Sequence, residues 1–122
     1  MYKISVKTDL AAAHQLVGYN GSCRRLHGHN WKIKVQIGTH QLDEVGIGYD
    51  FRKMKQLINS IVDNYDHQFL NEIPPFDTLN PTSENLARFI YDEIKNKLPQ
   101  HIEIISVEVM ESDRCSVIYT ED

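Results

Sequence analysis

Alternating apolar and polar residues predict four β-strands, two near each end of the chain. The first strand is predicted over residues 2–14. The second contains the alternation from Trp31 to Ile37, where lysines and a glutamine occupy the intervening positions. Two further strands are predicted over residues 102–111 and 115–120. Strands with one apolar and one polar face are typical of an antiparallel sheet that covers a core on one side.

Two amphipathic helices are predicted between these pairs of strands. The first begins at Asp50, a residue type that caps helices well, and runs to about Tyr65. The second runs from about Thr82 to Leu98, and a proline follows it. Three prolines in residues 71–81 predict a loop between the two helices.

The predicted order is therefore strand, strand, helix, helix, strand, strand. This ββααββ order indicates an α+β fold in which a four-stranded antiparallel sheet carries both helices on one face. We expect a single domain over residues 1–122. Because a four-stranded sheet has two open edges, and such edges are usually hidden or paired, we also expect an oligomer.

The composition narrows the class of partner. Hydrophobic residues make up 41% of the chain, which is typical of a globular protein. Thirteen Lys and Arg against seventeen Asp and Glu give a formal charge of −4, so no nucleic-acid partner is expected. No apolar stretch approaches the ~20 residues of a membrane span, and no export signal is evident, so we expect a cytoplasmic protein without membrane association. Free thiols are expected for both cysteines in that reducing compartment.

Three of the six histidines share a pattern. His14 continues the apolar positions of the first strand, and His29 continues those of the second. His27 points to the same side as His29 because one residue separates them in an extended chain. Three neutral imidazoles around an open fourth position form a known catalytic zinc arrangement. The alternative is three ordinary histidines whose ring nitrogens are satisfied by backbone hydrogen bonds.

Two further places have residues suited to proton transfer. Cys23 lies beside Arg24 and Arg25, whose charges favour the reactive thiolate. The alternatives for Cys23 are a fourth zinc ligand, which would close the site, or a spare thiol. Asp66 precedes His67 at the end of the first helix, and a carboxylate can fix the tautomer of a neighbouring imidazole. The alternative there is a solvated pair at a helix end.

A carboxylate is predicted at the last inward position of the third strand. Glu111 shares its parity with Ile105, Val107 and Val109. A buried charge is costly without a partner, so a ligand that donates two hydrogen bonds would suit it. The alternative is that the strand has already ended and Glu111 is exposed.

Cys-x-x-x-His-Gly-His over residues 23–29, with His14 upstream, resembles the signature of the 6-pyruvoyltetrahydropterin synthase superfamily. The short spacing is similar to that of its bacterial branch, the 6-carboxytetrahydropterin synthases of queuosine biosynthesis. Other motifs of the superfamily occur in the same order along nearly the whole chain. They are Ala11-Ala12-Ala13-His14, Tyr49-Asp50-Phe51, Asp66-His67, Leu70-Asn71, Asn80-Pro81-Thr82-Ser83-Glu84 and Glu111.

The resemblance implies the tunnelling fold, in which three subunits close a barrel and two rings usually stack, so we expect a homotrimer or homohexamer with active sites at subunit interfaces. The implied zinc ligands are His14, His27 and His29. The implied proton-transfer group is Cys23 with Asp66 and His67, the last two contributed by a neighbouring subunit. The implied pterin contacts are Glu111 as anchor, with Thr82 and Ser83 lining the pocket. Glu111 is accordingly expected at the opposite end of the substrate from zinc.

The implied reaction converts 7,8-dihydroneopterin triphosphate to 6-carboxy-5,6,7,8-tetrahydropterin, acetaldehyde and triphosphate, with zinc and without a redox cofactor. The pyruvoyl-forming branch is the alternative, but its motif has two more residues between the cysteine and His-Gly-His. A third hypothesis is a non-catalytic binding module in which Cys23 completes the zinc shell. The chain departs from many relatives after Glu111, where Ser112 replaces their threonine. Cys115 has no role in the superfamily pattern.

Overall fold

Every predicted strand and helix is present in the computed structural model, which describes residues 1–18 and 25–122. The elements are β1 (Tyr2–His14), β2 (His27–Thr39), α1 (Phe51–Val62), a short 3-10 helix (Leu70–Glu72), α2 (Ser83–Lys95), β3 (Glu103–Met110) and β4 (Ser116–Tyr119). The ββααββ order is thereby confirmed. In the described part of the chain, no helix has both the length and the apolar character needed to cross a bilayer.

The four strands form one antiparallel sheet in the order β1-β2-β3-β4. Trp31, Ile33 and Val35 of β2 are completely buried on one face, as the alternation predicts. Both helices contribute to the same core: α1 contacts β1 and α2, and α2 contacts β3 and β4. Burial of this face stabilises the sheet, and it fixes which side chains of β1 and β2 point inward.

The helices begin where the sequence predicts and end earlier. Asp50 caps α1 by accepting a hydrogen bond from the backbone N–H of Arg52 at 2.7 Å. The predicted end at Tyr65 is wrong, because the chain leaves the helix after Val62 and Tyr65 is buried in the following turn. The predicted end of α2 at Leu98 is wrong for the same reason, since α2 stops at Lys95 and a turn follows.

A register shift changes the facing of β3. The shift lies opposite Gln36 and Ile37 of β2, so Ile104 is buried while Ile105 turns to the other face and approaches Gly38. The parity argument is therefore wrong for Ile105. It holds for Val107 and Val109, which are both fully buried.

Candidate active site

The pairing of β1 with β2 brings the three predicted histidines together. His14 lies directly opposite His27, and His29 lies opposite Ala12, two residues before His14. Side chains that are opposite or diagonal on one face of an antiparallel pair contact each other. The ring centroids of His14 and His27 are 4.6 Å apart, those of His27 and His29 4.4 Å, and those of His14 and His29 5.1 Å. One strand register therefore produces a compact cluster of imidazoles.

Backbone carbonyls orient two of these rings. His14 Nδ1 lies 2.7 Å from the carbonyl oxygen of Pro81, and His27 Nδ1 is hydrogen-bonded to the carbonyl oxygen of Arg25. Because a carbonyl oxygen only accepts, Nδ1 is the donor in each ring, and Nε2 of the neutral ring keeps its lone pair. Histidines that bind a metal through one ring nitrogen usually donate from the other to a carbonyl or carboxylate oxygen, which fixes the ring's tautomer and orientation.

The prepared nitrogens converge. His14 Nε2 and His27 Nε2 are only 3.1 Å apart. Two lone pairs at this distance repel unless a proton or a cation lies between them. The alternative of three ordinary histidines satisfied by backbone accounts for the Nδ1 atoms, but it leaves these Nε2 atoms facing each other.

Glu111 completes a group of four possible ligands. Its Oε1 lies 2.7 Å from His29 Nε2, off the direction in which that ring nitrogen would bond, so within the described residues this buried nitrogen has no directed hydrogen bond. One ligand atom from each of His14, His27, His29 and Glu111 lies within 4.8 Å of the other three. Imidazole nitrogens with one carboxylate oxygen are a donor set that zinc accepts, so the residues present fit a zinc ion.

Burial keeps the imidazoles of His14 and His29 in the form that binds metal. Burial lowers the pKa of His14 below 6.5, against the opposing effect of the Pro81 carbonyl. Burial also lowers the pKa of His29, although the Glu111 carboxylate raises it. Trp31, which is fully buried, contacts both rings edge-on or tilted, with centroids 4.9 and 5.2 Å away. Neutral imidazoles at physiological pH follow from this setting.

The position of Glu111 corrects the expectation that it lies far from the metal ligands. β3 ends at Met110, so the strand has indeed ended, but the side chain turns inward and stays 30% exposed. The backbone N–H of Glu111 donates to the carbonyl oxygen of Cys115 at 3.1 Å, which places the residue in the β3–β4 turn. The carboxylate therefore lies against His29.

A cleft of about 370 Å³ opens beside the cluster. Its walls include His14 and Glu111 together with Thr82 and Ser83 at the beginning of α2. Thr82 caps that helix, and its Oγ1 accepts from the backbone N–H of Asn85 at 3.1 Å. Three residues assigned to pterin binding by resemblance therefore share one cleft with a predicted metal ligand. Cys115, a free and exposed cysteine, lines the same cleft.

The Asp66–His67 pair forms on the outer edge of β1. Asp66 Oδ1 accepts from the backbone N–H of Ala11 at 2.9 Å, and Oδ2 lies 2.9 Å from His67 Nδ1. The Ala11 N–H, with a smaller contribution from His67, lowers the pKa of Asp66 below 3.8. His67 has φ 58° and a side chain that is 80% exposed. A non-glycine residue in this left-handed conformation is uncommon and is held here by the turn.

His67 and His29 line a second cleft of about 470 Å³. The turn that carries His67 also contacts β1 further along the strand, where the backbone N–H of Ala13 donates to the carbonyl oxygen of Gln68 at 3.0 Å. The turn after α1 thus lies along the open edge of the sheet. It places the Asp66–His67 pair at the surface.

Sequence reasoning assigned no role to two asparagines that extend β1 beyond its last residue. Asn71 exchanges two hydrogen bonds with the backbone of Gln15, both 2.8 Å long. Asn80 does the same with Val17, at 2.9 and 3.0 Å. Together the two amides imitate a neighbouring strand, because they pair with alternate residues of the chain beyond β1. These two asparagines are part of the sequence motifs Leu70-Asn71 and Asn80-Pro81, and those motifs were the signal from which a role could have been predicted.

Cys23, the predicted thiolate, lies outside the described residues, as does Arg24. The neighbouring Arg25 is described, and its carbonyl oxygen is the one that orients His27. The catalytic and ligand hypotheses for Cys23 therefore both remain predictions.

Comparison with known proteins agrees with this fold. A sequence model of the 6-pyruvoyl tetrahydropterin synthase family matches residues 3–122. A 6-carboxy-5,6,7,8-tetrahydropterin synthase of Synechocystis sp. is 33% identical over 117 residues, which cover 92% of this chain and 88% of the relative. One of Rickettsia typhi is 29% identical over 136 residues, covering 96% and 99%. The structure of Caenorhabditis elegans 6-pyruvoyl tetrahydropterin synthase superposes with a TM-score of 0.85 at 25% identity, covering 99% of this chain and 96% of that one.

The chain belongs to the 6-pyruvoyl tetrahydropterin synthase family. It is an enzyme of the tetrahydropterin synthase type, a lyase. The resemblance that the Cys-x-x-x-His-Gly-His motif carries is thereby confirmed.

Proposed function

We propose that this enzyme is a zinc-dependent 6-carboxy-5,6,7,8-tetrahydropterin synthase of queuosine (7-deazaguanine) biosynthesis. It converts 7,8-dihydroneopterin triphosphate to 6-carboxytetrahydropterin, acetaldehyde and triphosphate. The observation that carries the proposal is the convergence of His14 Nε2 and His27 Nε2 at 3.1 Å, with both rings oriented by carbonyls. The relatives that bear this name and the short cysteine-to-histidine spacing favour the carboxy-forming reaction.

His14, His27 and His29 hold the zinc ion in this proposal. When bound, zinc supplies Lewis-acid chemistry that polarises the oxygens of the substrate side chain and acidifies the adjacent carbon-bound proton. The protein contributes three imidazoles on paired strands, so the ligand positions are fixed before substrate arrives.

Cys23, His67 and Asp66 move protons between the substrate side chain and the ring. Asp66 accepts from His67 Nδ1, which leaves His67 Nε2 available to exchange a proton. The exposure of His67 supports a role toward the site of a neighbouring subunit. Trimeric or hexameric assembly would supply that neighbour and would pair the open sheet edges.

Thr82, Ser83 and Glu111 bind the pterin in the 370 Å³ cleft. A pterin presents a ring N–H and an exocyclic amino group as adjacent donors, and a carboxylate offers two acceptors. Of these three residues, Glu111 is the one with a carboxylate, which can accept both hydrogen bonds with charge assistance. Charge-assisted bonds of this kind contribute about 1.5–3 kcal/mol each.

Product analysis tests the proposal. Purified protein incubated with 7,8-dihydroneopterin triphosphate should yield 6-carboxytetrahydropterin and acetaldehyde by mass spectrometry. A 6-pyruvoyl product would assign the chain to the activity named for the Caenorhabditis elegans structure that it resembles. Bound zinc without any product would support a non-catalytic module.

A further inference from the structure

The Glu111 carboxylate has two possible partners. Its Oε1 lies 2.7 Å from His29 Nε2 and belongs to the four-residue group whose ligand atoms lie within 4.8 Å of one another. The same side chain lines the cleft with Thr82 and Ser83. One carboxylate therefore stands on the boundary between the metal ligands and the substrate cleft.

Charge makes a partner necessary. The Glu111 side chain is only 30% exposed, and within residues 1–18 and 25–122 its ion-pair contact is with His29, whose Nε2 makes no directed hydrogen bond to it. A half-buried carboxylate without a directed hydrogen bond is poorly compensated. A divalent cation among the three histidines would compensate it, because three neutral ligands leave the charge of such an ion unopposed.

The two partners exclude each other. A pterin that donates two hydrogen bonds uses both oxygens of the carboxylate, and their best acceptor directions are then occupied. In the structure, by contrast, the Oε1 atom of Glu111 lies next to His29, within reach of the metal ligands. The side chain can exchange between these positions by rotation, since the backbone of Glu111 is held by its own bond to the Cys115 carbonyl.

We infer that Glu111 is a fourth metal ligand while the cleft is empty and leaves the metal when a pterin binds. This inference rests on the proposed zinc and pterin sites. Glu111 then closes the coordination shell against other anions, and recognition of the pterin ring opens the position that the substrate side chain needs. Substrate binding and metal availability become coupled through one side chain.

Cobalt(II) titration tests the inference without activity, because cobalt reports its coordination in the visible spectrum. The comparison uses wild type, Glu111→Gln and a matched control, Glu108→Gln. Glu108 lies on β3, shortly before the turn that contains Glu111, but its carboxylate accepts from Ser116 Oγ at 2.8 Å and does not line the cleft. We expect Glu111→Gln to bind cobalt at least about tenfold more weakly than wild type, a difference of about 1.4 kcal/mol, and Glu108→Gln to match wild type.

The probe for the cleft is 6-methylpterin, which has no side-chain oxygen to offer the metal. Saturating 6-methylpterin should change the cobalt spectrum of wild type and leave that of Glu111→Gln unchanged. Equal cobalt affinities of wild type and Glu111→Gln, with equal thermal midpoints of the metal-free proteins, would overturn the inference and leave the three-histidine site intact. Failure of wild type to bind cobalt would instead overturn the proposed metal site, and the inference with it.

Discussion

The histidine cluster and the Asp66–His67 turn meet the same strand, β1, from different sides. His14 is 2% exposed, and it lies opposite His27 where β1 pairs with β2. His67 is 80% exposed, and in the described part of the chain its backbone N–H bond to the Ala11 carbonyl oxygen and its side-chain bond to Asp66 hold it at the edge. The register of two strands in one chain is sufficient to assemble the histidine cluster. The Asp66–His67 pair is also held in place, but it faces solvent.

The difference shows what one chain supplies by itself. Ligands for a metal must be fixed to within a fraction of an ångström, and paired strands provide that rigidity. A proton-transfer group has to meet a substrate at a surface, so an exposed imidazole with a fixed tautomer is sufficient. If His67 serves the neighbouring subunit, the metal site is complete in a monomer and the catalytic site is not.

Replacing Cys23 should have the largest effect on turnover. If the thiolate transfers a proton, Cys23→Ala loses about 10²–10⁴-fold in kcat and keeps its zinc. If Cys23 is a metal ligand, the same variant loses zinc as well, and the non-catalytic module gains support. Metal content by elemental analysis, beside kcat, separates the two. Full activity with full zinc would exclude both roles.

Mixing two inactive variants tests whether the Asp66–His67 pair serves the active site of a neighbouring subunit. Cys23→Ala and His67→Ala subunits are unfolded together, refolded in equal amounts and assayed with zinc. If cysteine and histidine meet across an interface, about a quarter of the sites combine two intact residues, and activity returns to about that fraction of wild type. Refolding each variant alone is the control. Absence of any recovery, with mixed oligomers verified by mass spectrometry, would place both residues in one chain.

The pH dependence of stability should show a smaller effect at the turn. The pKa of Asp66 is lowered, first by the Ala11 N–H, so its ionised form stabilises the folded state above the ordinary value of 3.8. That contribution is complete above about pH 4 and is lost as the pH falls through the folded-state pKa. Asp66→Asn should therefore be less stable than wild type near neutral pH, with a gap that narrows below about pH 4.

Urea unfolding from pH 3 to pH 7 measures this gap. Asp113→Asn, which changes an exposed carboxylate in the β3–β4 turn, is the matched control and should show no such gap. A gap that stays constant down to pH 3 would contradict the role assigned to the Asp66 charge.

The cluster was predictable because it follows from strand parity alone. His14, His27 and His29 each continue an apolar alternation. Antiparallel pairing of the two strands then brings the three side chains together. Thr82 was predictable as part of a helix start for a similar local reason. These features depend on neighbours in sequence, which a single chain displays.

Contacts made by loops were not predictable in the same way. The approach of Glu111 to His29 depends on how the chain turns after Met110, and no periodicity encodes that turn. The Pro81 carbonyl that orients His14 is a backbone atom 67 residues away, so residue identity gives no sign of it. Asn80 pairs with Val17 across a similar distance.

Zinc content of the histidine variants tests the central claim most directly. Wild type and His40→Ala, which removes an exposed histidine outside the cluster, should each bind about one zinc per chain by elemental analysis. His27→Ala and His29→Ala should bind almost none, because the remaining ligands hold a catalytic ion poorly. Full zinc in both cluster variants would contradict the account.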